Sequence, residues 1–403
     1  MTSRMPTVRT TETHDRRIVR LRAAFCVLAI TAASAATAGP LERDQAYRIH
    51  NRLAGVPPSE SVLLSMEADL VANDPLAAAR KAMDNANFYT VTLKNFAAPW
   101  TNRDRSVFVP LNDYTTLVIG MVKDGVPFNE ILTADLLYMQ AGQGLPQPNS
   151  NDHYEALEQA MLQPGFDPKT QIVATSQSAA YGTPTQATAG AITTRAASEA
   201  FFIAGTNRAM FRFTLINHMC TDLEGVHDTT IIPDRIRQDV SRSPGGDSRV
   251  FMNSCIGCHA GMDPMAQAFA YYNYDDALGR MVYTPGTVAS KYFNNNTTFE
   301  DGFITPNDSW DNYWREGKNA ALGWDANLPG TGQGAKTLGQ ELAATNAFAQ
   351  CQVTKVFRNV CLRDPVDPSD RNAVASMTNA FKNTNGYDLR ETFAASAAYC
   401  MGN

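Results

Sequence analysis

Three residues near the middle of the chain have the types and spacing for covalent cofactor chemistry. Cys255, Cys258 and His259 form the pattern Cys-x-x-Cys-His. This pattern is typical of c-type haem attachment, in which both thiols bond to the porphyrin and the histidine ligates the iron. A helical turn brings residues three and four positions apart onto one face, so that both thiols and the imidazole can reach the same haem. The motif predicts one covalent haem c, with a thiol redox site or a zinc site as the alternative.

The motif leaves the second axial ligand of the iron open. No histidine follows His259, so a second ligand is a downstream methionine, an upstream histidine or none. Met281 is our first candidate, because it lies well past the motif in a predicted loop. His218 and His227 are the alternatives, although His218 shares a predicted helix face with apolar residues and also fits a core position. Met262 and Met265, the nearer methionines, are too close to His259 to reach the other side of a haem and are expected to pack against it.

A helix must position the motif. Loop-forming residues precede Asp247 and Ser248, so we expect the helix to begin at one of these two residues. It should end near Met262, because a residue before proline is disfavoured in the α region. Asp263 as N-cap and Pro264 at the first helical position would then open a second helix.

The rest of the chain reads as a mostly α protein. Apolar residues recur at helical spacing through much of residues 39–140, including the stretch from 127 to 140. Residues 141–198 are rich in Gly, Pro, Ser and Thr and are predicted to be an irregular connection or a lid beside the haem. Residues 199–403 are predicted to be a haem-binding, cytochrome c-like region, with terminal helices over 342–361, 371–382 and 389–400.

Residues 1–38 are predicted to be a signal peptide. Four arginines precede an apolar run that ends in Ala36-Thr37-Ala38, a small-residue cleavage pattern. Together with the haem motif, this favours a periplasmic location. The formal charge of the whole chain is −6, and residues 1–38 contain six Arg and two acidic residues, so the remainder carries −10. An acidic surface disfavours nucleic acid and suits a basic redox partner. After the signal peptide, no apolar segment is long enough to predict a membrane span, so we expect no transmembrane segment.

Four further cysteines, Cys220, Cys351, Cys361 and Cys400, are an even set, which in an oxidising compartment predicts two disulfides. Cys351 and Cys361 share a predicted helix and would be about 15 Å apart, beyond disulfide reach. If the last three helices run up, down and up, Cys361 pairs with Cys400 and Cys220 with Cys351. The remaining pattern, which pairs Cys220 with Cys361 and Cys351 with Cys400, is the alternative.

The surroundings of the motif are similar to the attachment region of the planctomycete-type cytochrome c family. The residues that carry this likeness are Met262-Asp263-Pro264 after the motif, then Asp275, Gly279-Arg280 and, near the end of the chain, Phe393 and Ser396. The chain differs from the family pattern at Met265-Ala266-Gln267, where a glycine-containing turn is usual. The resemblance covers roughly residues 200–403, and it implies an exported, mostly helical protein with one covalent haem and no known substrate.

Three functions are compatible with such a chain. An electron-transfer protein holds the iron with a ligand on each side, whereas a peroxide- or oxygen-using oxidoreductase needs an open position. The third is a binding or structural module of an envelope complex. We expect electron transfer, because this is the usual role of a single c-type haem.

Overall fold

The computed structural model describes Met1 and residues 39–203, 205–235, 248–292 and 303–402. The predicted signal peptide, apart from Met1, lies outside the described residues.

Three helices open the described chain. They are α1 (Pro40–Ala54), α2 (Glu60–Val71) and α3 (Pro75–Ala82). Gly55, at φ 72°, ends α1 in the left-handed conformation, and Ser59 and Asp74 cap α2 and α3 by accepting backbone N–H groups. The helical spacing of the sequence predicted this region correctly.

A π-helical turn (Phe88–Leu93) leads into α4 (Lys94–Ala97), and α5 (Asp113–Asp124) then crosses the interior. Every residue of α5 from Asp113 to Val122 is buried. Gly120 allows the ring of Tyr138 to lie directly against this helix, since any Cβ at residue 120 would overlap the ring.

Tyr138 belongs to a strand, so the helix predicted over 127–140 is wrong. The chain forms a 3₁₀ turn (Phe128–Leu132) and then β1 (Leu137–Gln140), which pairs antiparallel with β2 (Ile172–Thr175). A short apolar run fits a buried strand as well as a helix, and here pairing with β2 decides between them.

Residues 141–198 are more regular than predicted. They contain α6 (Asp152–Met161), α7 (Pro168–Gln171), β2, α8 (Gln177–Tyr181) and most of α9 (Arg195–Phe201). Asp167, Ser176 and Thr194 cap the last three of these helices, and such local caps explain how short helices persist in a polar, Gly-rich stretch.

The motif lies in the next block. Helix α10 (Arg208–Met219) precedes α11 (Ser248–Val250), a π-helical turn (Phe251–Cys255) and α12 (Ile256–Ala266). Pro264 lies inside α12, so the predicted break near Met262 and the predicted capping role of Asp263 are both wrong. The preference of a pre-proline residue against the α region is a tendency that packing on both faces of α12 overrides. A 3₁₀ turn (Gln267–Phe269) follows α12.

After this turn the chain forms a β-hairpin from β3 (Tyr272–Asp275) and β4 (Arg280–Tyr283). Met281 is therefore in a strand and not in the predicted loop. Strands β5 (Ser309–Asp311) and β6 (Thr331–Gln333) form a third two-stranded sheet.

Four helices close the chain: α13 (Gly334–Ala343), α14 (Asn346–Cys361), α15 (Pro368–Asn383) and α16 (Leu389–Tyr399). The three predicted terminal helices are confirmed, except that Thr345 caps α14 and so separates it from α13. Helices α14 and α16 pack against the N-terminal helices.

Both favoured disulfides are confirmed. Cys220 bonds to Cys351 and Cys361 bonds to Cys400, with Cα–Cα distances of 5.2 and 5.5 Å. The antiparallel arrangement of the terminal helices brings the end of α14 beside the end of α16, as the pairing requires.

One large hydrophobic cluster joins the three predicted regions. Ile49, Ile172, Phe211 and Phe393 all belong to it. Over the described residues the fold is mostly α, as predicted, and it also contains three two-stranded sheets, which the sequence did not predict. Among the described residues, none of the helices has the length and apolar character needed to cross a membrane.

Candidate haem attachment site

The three motif residues lie along one face of α12 and its N-terminus. Cys255 is the N-cap residue, with helical φ and ψ, and Cys258 and His259 lie three and four positions further on. All three are partly exposed. Their thiols are the two free ones among the described cysteines, since the other four form disulfides. This face therefore offers two unpaired thiols and an imidazole to one ligand.

The opposite face of α12 is closely packed. Gly257 and Gly261, four positions apart, share this face, and a Cβ at either would overlap the rings of His227 and Trp314, respectively. Trp314 is fully buried and contacts Phe211 of α10, with ring centroids 5.7 Å apart. The two glycines allow this close approach, whereas Cys255, Cys258 and His259 stay partly exposed.

The segment 220–228 holds the first turn of α12 in place. The N–H of Asp228 donates to the carbonyl of Gly257 at 2.8 Å, and the Cys258 thiol lies 3.5 Å from the carbonyl oxygen of Leu223. Asn319 donates to the carbonyl of Val226. This segment begins at Cys220, which is bonded to Cys351 of α14. The segment therefore links the motif to the helices at the C-terminal end of the chain.

The protonation of Cys258 bears on the thiol redox alternative. Burial raises the pKa of the Cys258 thiol, and the negative charges of Glu224 and Asp222 act in the same direction. Reactive thiols of redox catalysts have lowered pKa values, because the thiolate is the nucleophile. The surroundings of Cys258 therefore do not favour thiol–disulfide catalysis.

A buried carboxylate orients the imidazole of His259. Nδ1 of His259 lies 3.1 Å from Oδ1 of Asp263, one helical turn further along α12, and Asp263 is fully buried. Arg208, at the start of α10, reaches the same oxygen with Nε at 3.3 Å. With Nδ1 held by Asp263, ligation of a metal by His259 would be through Nε2. Sequence reasoning took Asp263 for a helix cap; the His-x-x-x-Asp spacing was the signal that could have identified it.

The surroundings of His218 do not suit an iron ligand. Its Nε2 is 2.7 Å from the hydroxyl of Tyr114, and its ring is nearly parallel to the rings of Tyr114 and Phe348, with each centroid 6.3 Å away. Burial, followed by the positive charge of Lys355, lowers the pKa of His218 well below its usual value. His218 is thus a neutral core histidine, as the alternative interpretation of the sequence had it.

Of the other two candidate ligands, His227 lies on the far side of α12 and Met281 lies in the β3–β4 hairpin. The ring of His227 packs against Gly257, which is about 160° around the helix from His259 at 100° per residue. Met281 pairs with Tyr274 in the β3–β4 hairpin, which packs against α9, whereas α12 packs against α10 and β5. The structure brings Cys255, Cys258 and His259 together and leaves the choice of second ligand as a prediction.

The donor set fits a c-type haem. Two free thiols and an imidazole one helical turn from Cys255 are what covalent attachment and axial ligation require. Among the described residues, no three His, Cys, Asp or Glu side chains form a group that could hold a metal ion by themselves. Comparison of the chain with protein-family models, with curated proteins and with solved structures found no match to any of them.

Proposed function

We propose that this protein is an exported c-type cytochrome that transfers electrons through one covalent haem c. The observation that carries the proposal is the pairing state of the cysteines: Cys255 and Cys258 are free and flank the face of α12 that bears His259, while the other four described cysteines are in disulfides. In this role the two thiols would hold the macrocycle and His259 would ligate the iron.

The bound haem would supply a one-electron couple, and the chain would supply rigidity around it. Helix α12 is fixed on its glycine face by His227 and Trp314 and at its first turn by the segment 220–228. A rigid ligand set limits rearrangement when the iron changes oxidation state, which is what an electron carrier requires.

The formal charge of −10 without residues 1–38 supports a basic redox partner in the periplasm. Complementary charge would speed the encounter and make it sensitive to ionic strength. Residues 1–38 would direct the chain across the inner membrane, and no described helix would then hold it in a bilayer.

One observation favours a haem-dependent oxidoreductase as the second candidate. His218 is held in the core by Tyr114, His227 lies against the far face of α12, and Met281 lies in the β3–β4 hairpin, which packs against α9. If Met281 does not bind, the iron keeps an open position where peroxide or oxygen chemistry is possible.

Haem staining after denaturing electrophoresis tests the proposal. We expect the full chain, produced with a c-type haem maturation system, to give a stained band that survives acid–acetone extraction. The double variant Cys255→Ser, Cys258→Ser should lose the stain. The matched control is Cys361→Ser, Cys400→Ser, which also removes two cysteines and should keep it. Colour that is extracted from the unmodified chain would contradict covalent attachment. A low-spin optical spectrum would favour electron transfer, and a high-spin spectrum the oxidoreductase.

A further inference from the structure

Asp263 and Arg208 form a buried charged pair directly behind the imidazole of His259. Both Nδ1 of His259 and Nε of Arg208 approach Oδ1 of Asp263, at 3.1 and 3.3 Å. The Asp263 carboxylate is fully buried, whereas the side chain of Arg208 is 23 % exposed. The negative member of the pair is thus the one withdrawn from water and in contact with the imidazole.

We infer that Asp263 is a positioning residue that sets the orientation and donor strength of His259 and thereby lowers the reduction potential of the haem; this inference rests on the proposed function. A histidine whose second nitrogen donates to a carboxylate is a more basic ligand, because negative charge is shared onto the ring. A more basic ligand stabilises the ferric iron, which carries one more positive charge than the ferrous iron.

Burial is what gives this carboxylate its effect. In water, counterions and solvent would screen its charge, but inside the protein the effective dielectric constant is lower and the interaction is correspondingly larger. Arg208 offsets part of the cost of burying the carboxylate, because its Nε lies 3.3 Å from Oδ1 of Asp263.

The geometry also fixes the ring. Asp263 is one turn from His259 on the same helix, so the hydrogen bond depends on α12 continuing through Pro264. A helix broken at Met262, as the sequence suggested, would separate the two residues. The uninterrupted helix therefore has a chemical role as well as a packing role.

The test is the midpoint potential of the haem in Asp263→Asn, which keeps the shape and removes the charge. We expect the equilibrium between the two oxidation states to shift about tenfold toward the reduced form, which is about 59 mV upward for a one-electron couple. The matched control is Asp370→Asn, because Asp370 is likewise fully buried and paired with a partly exposed arginine, Arg363, at 2.7 Å, but lies in α15. The control should lose stability without moving the potential.

A second measurement does not need the Asp263→Asn variant. In the haem-free chain made by Cys255→Ser, Cys258→Ser, ¹⁵N NMR of labelled histidine reports which nitrogen of neutral His259 carries the proton. We expect it on Nδ1, facing Asp263; a proton on Nε2 with a bare Nδ1 would overturn the inference. A stained protein in which Asp263→Asn leaves the potential unchanged would also overturn it and leave the proposed function standing, whereas an unstained wild-type chain would remove both.

Discussion

The imidazole ring of His227 lies where a side chain on residue 257 would be, and glycine at this position makes room for it. The next residue after His227, Asp228, donates its N–H to the carbonyl of Gly257 at 2.8 Å. Contact with His227, about thirty positions earlier in the chain, therefore limits which residue fits at the second variable position of the motif.

Replacing Gly257 with alanine should disturb this contact. We expect Gly257→Ala to lower the free energy of unfolding by about 1–3 kcal/mol, because an added methyl group in a closely packed site forces its neighbours to move. Urea unfolding measures the change. Gly144→Ala is the control, since a Cβ at residue 144 meets nothing within 4 Å. Adding His227→Ala to Gly257→Ala should restore part of the loss; equal losses with and without the second change would contradict the contact.

Removing the Cys220–Cys351 disulfide should destabilise the chain more than removing Cys361–Cys400. The first closes a sequence separation of 131 residues and the second 39, and the loss of chain entropy in the unfolded state grows with loop length. On this model the two bonds are worth about 5 and about 4 kcal/mol before any native-state strain. Urea midpoints of the two double Cys→Ala variants test the order, and a larger loss for Cys361–Cys400 would contradict it.

His218 should make stability fall in mild acid. Its pKa in the folded state is well below the usual value, whereas in the unfolded chain it titrates near pH 6.5. As the pH falls through this value only the unfolded chain gains the proton, so folding stability is lost; at pH 5.5 the loss is about 1.4 kcal/mol. In His218→Gln this contribution is absent. The stability gap between wild type and variant should therefore narrow between pH 7.5 and 5.5, and a constant gap would show that His218 titrates normally in the fold.

Met281→Ala tests the remaining ligand candidate. If Met281 binds the iron, the variant should change from a low-spin to a high-spin spectrum and its potential should fall, because methionine ligation raises the potential. Met377, a partly buried methionine packed against the same hydrophobic cluster in α15, gives the control Met377→Ala. An unchanged spectrum in Met281→Ala would exclude this residue and move the oxidoreductase ahead of the electron carrier.

The parts of the fold that were predicted correctly from the sequence depend on local sequence pattern or on the distance between residues along one helix. Helices α1, α2, α14, α15 and α16 follow apolar periodicity. The disulfide pairing follows from the distance between Cys351 and Cys361 along one helix together with the assumed up, down and up order of the last three helices. The strand at Leu137–Gln140 could not be distinguished from a helix, because its identity depends on pairing with a segment thirty-five residues later.

Around the site, the tendency of a residue before proline to avoid the α region led to the wrong predicted end for α12. Contacts with Trp314, a residue fifty positions downstream, and with His227 decide how α12 packs, and no local signal predicts either contact. The motif itself was recognisable from five residues, whereas the role of Asp263 depended on knowing that the helix continues.

The disulfide at Cys220 also has a consequence for the order in which the protein is made. Leu223, whose carbonyl oxygen lies 3.5 Å from the Cys258 thiol, is three residues after Cys220, so the bond to Cys351 would hold this carbonyl beside the proposed attachment site. Before this bond closes, Cys220 is a further thiol that would compete with Cys255 and Cys258 for partners. We expect maturation to be most efficient when haem joins Cys255 and Cys258 first, because early attachment both removes the competing thiols and uses the site while it is open.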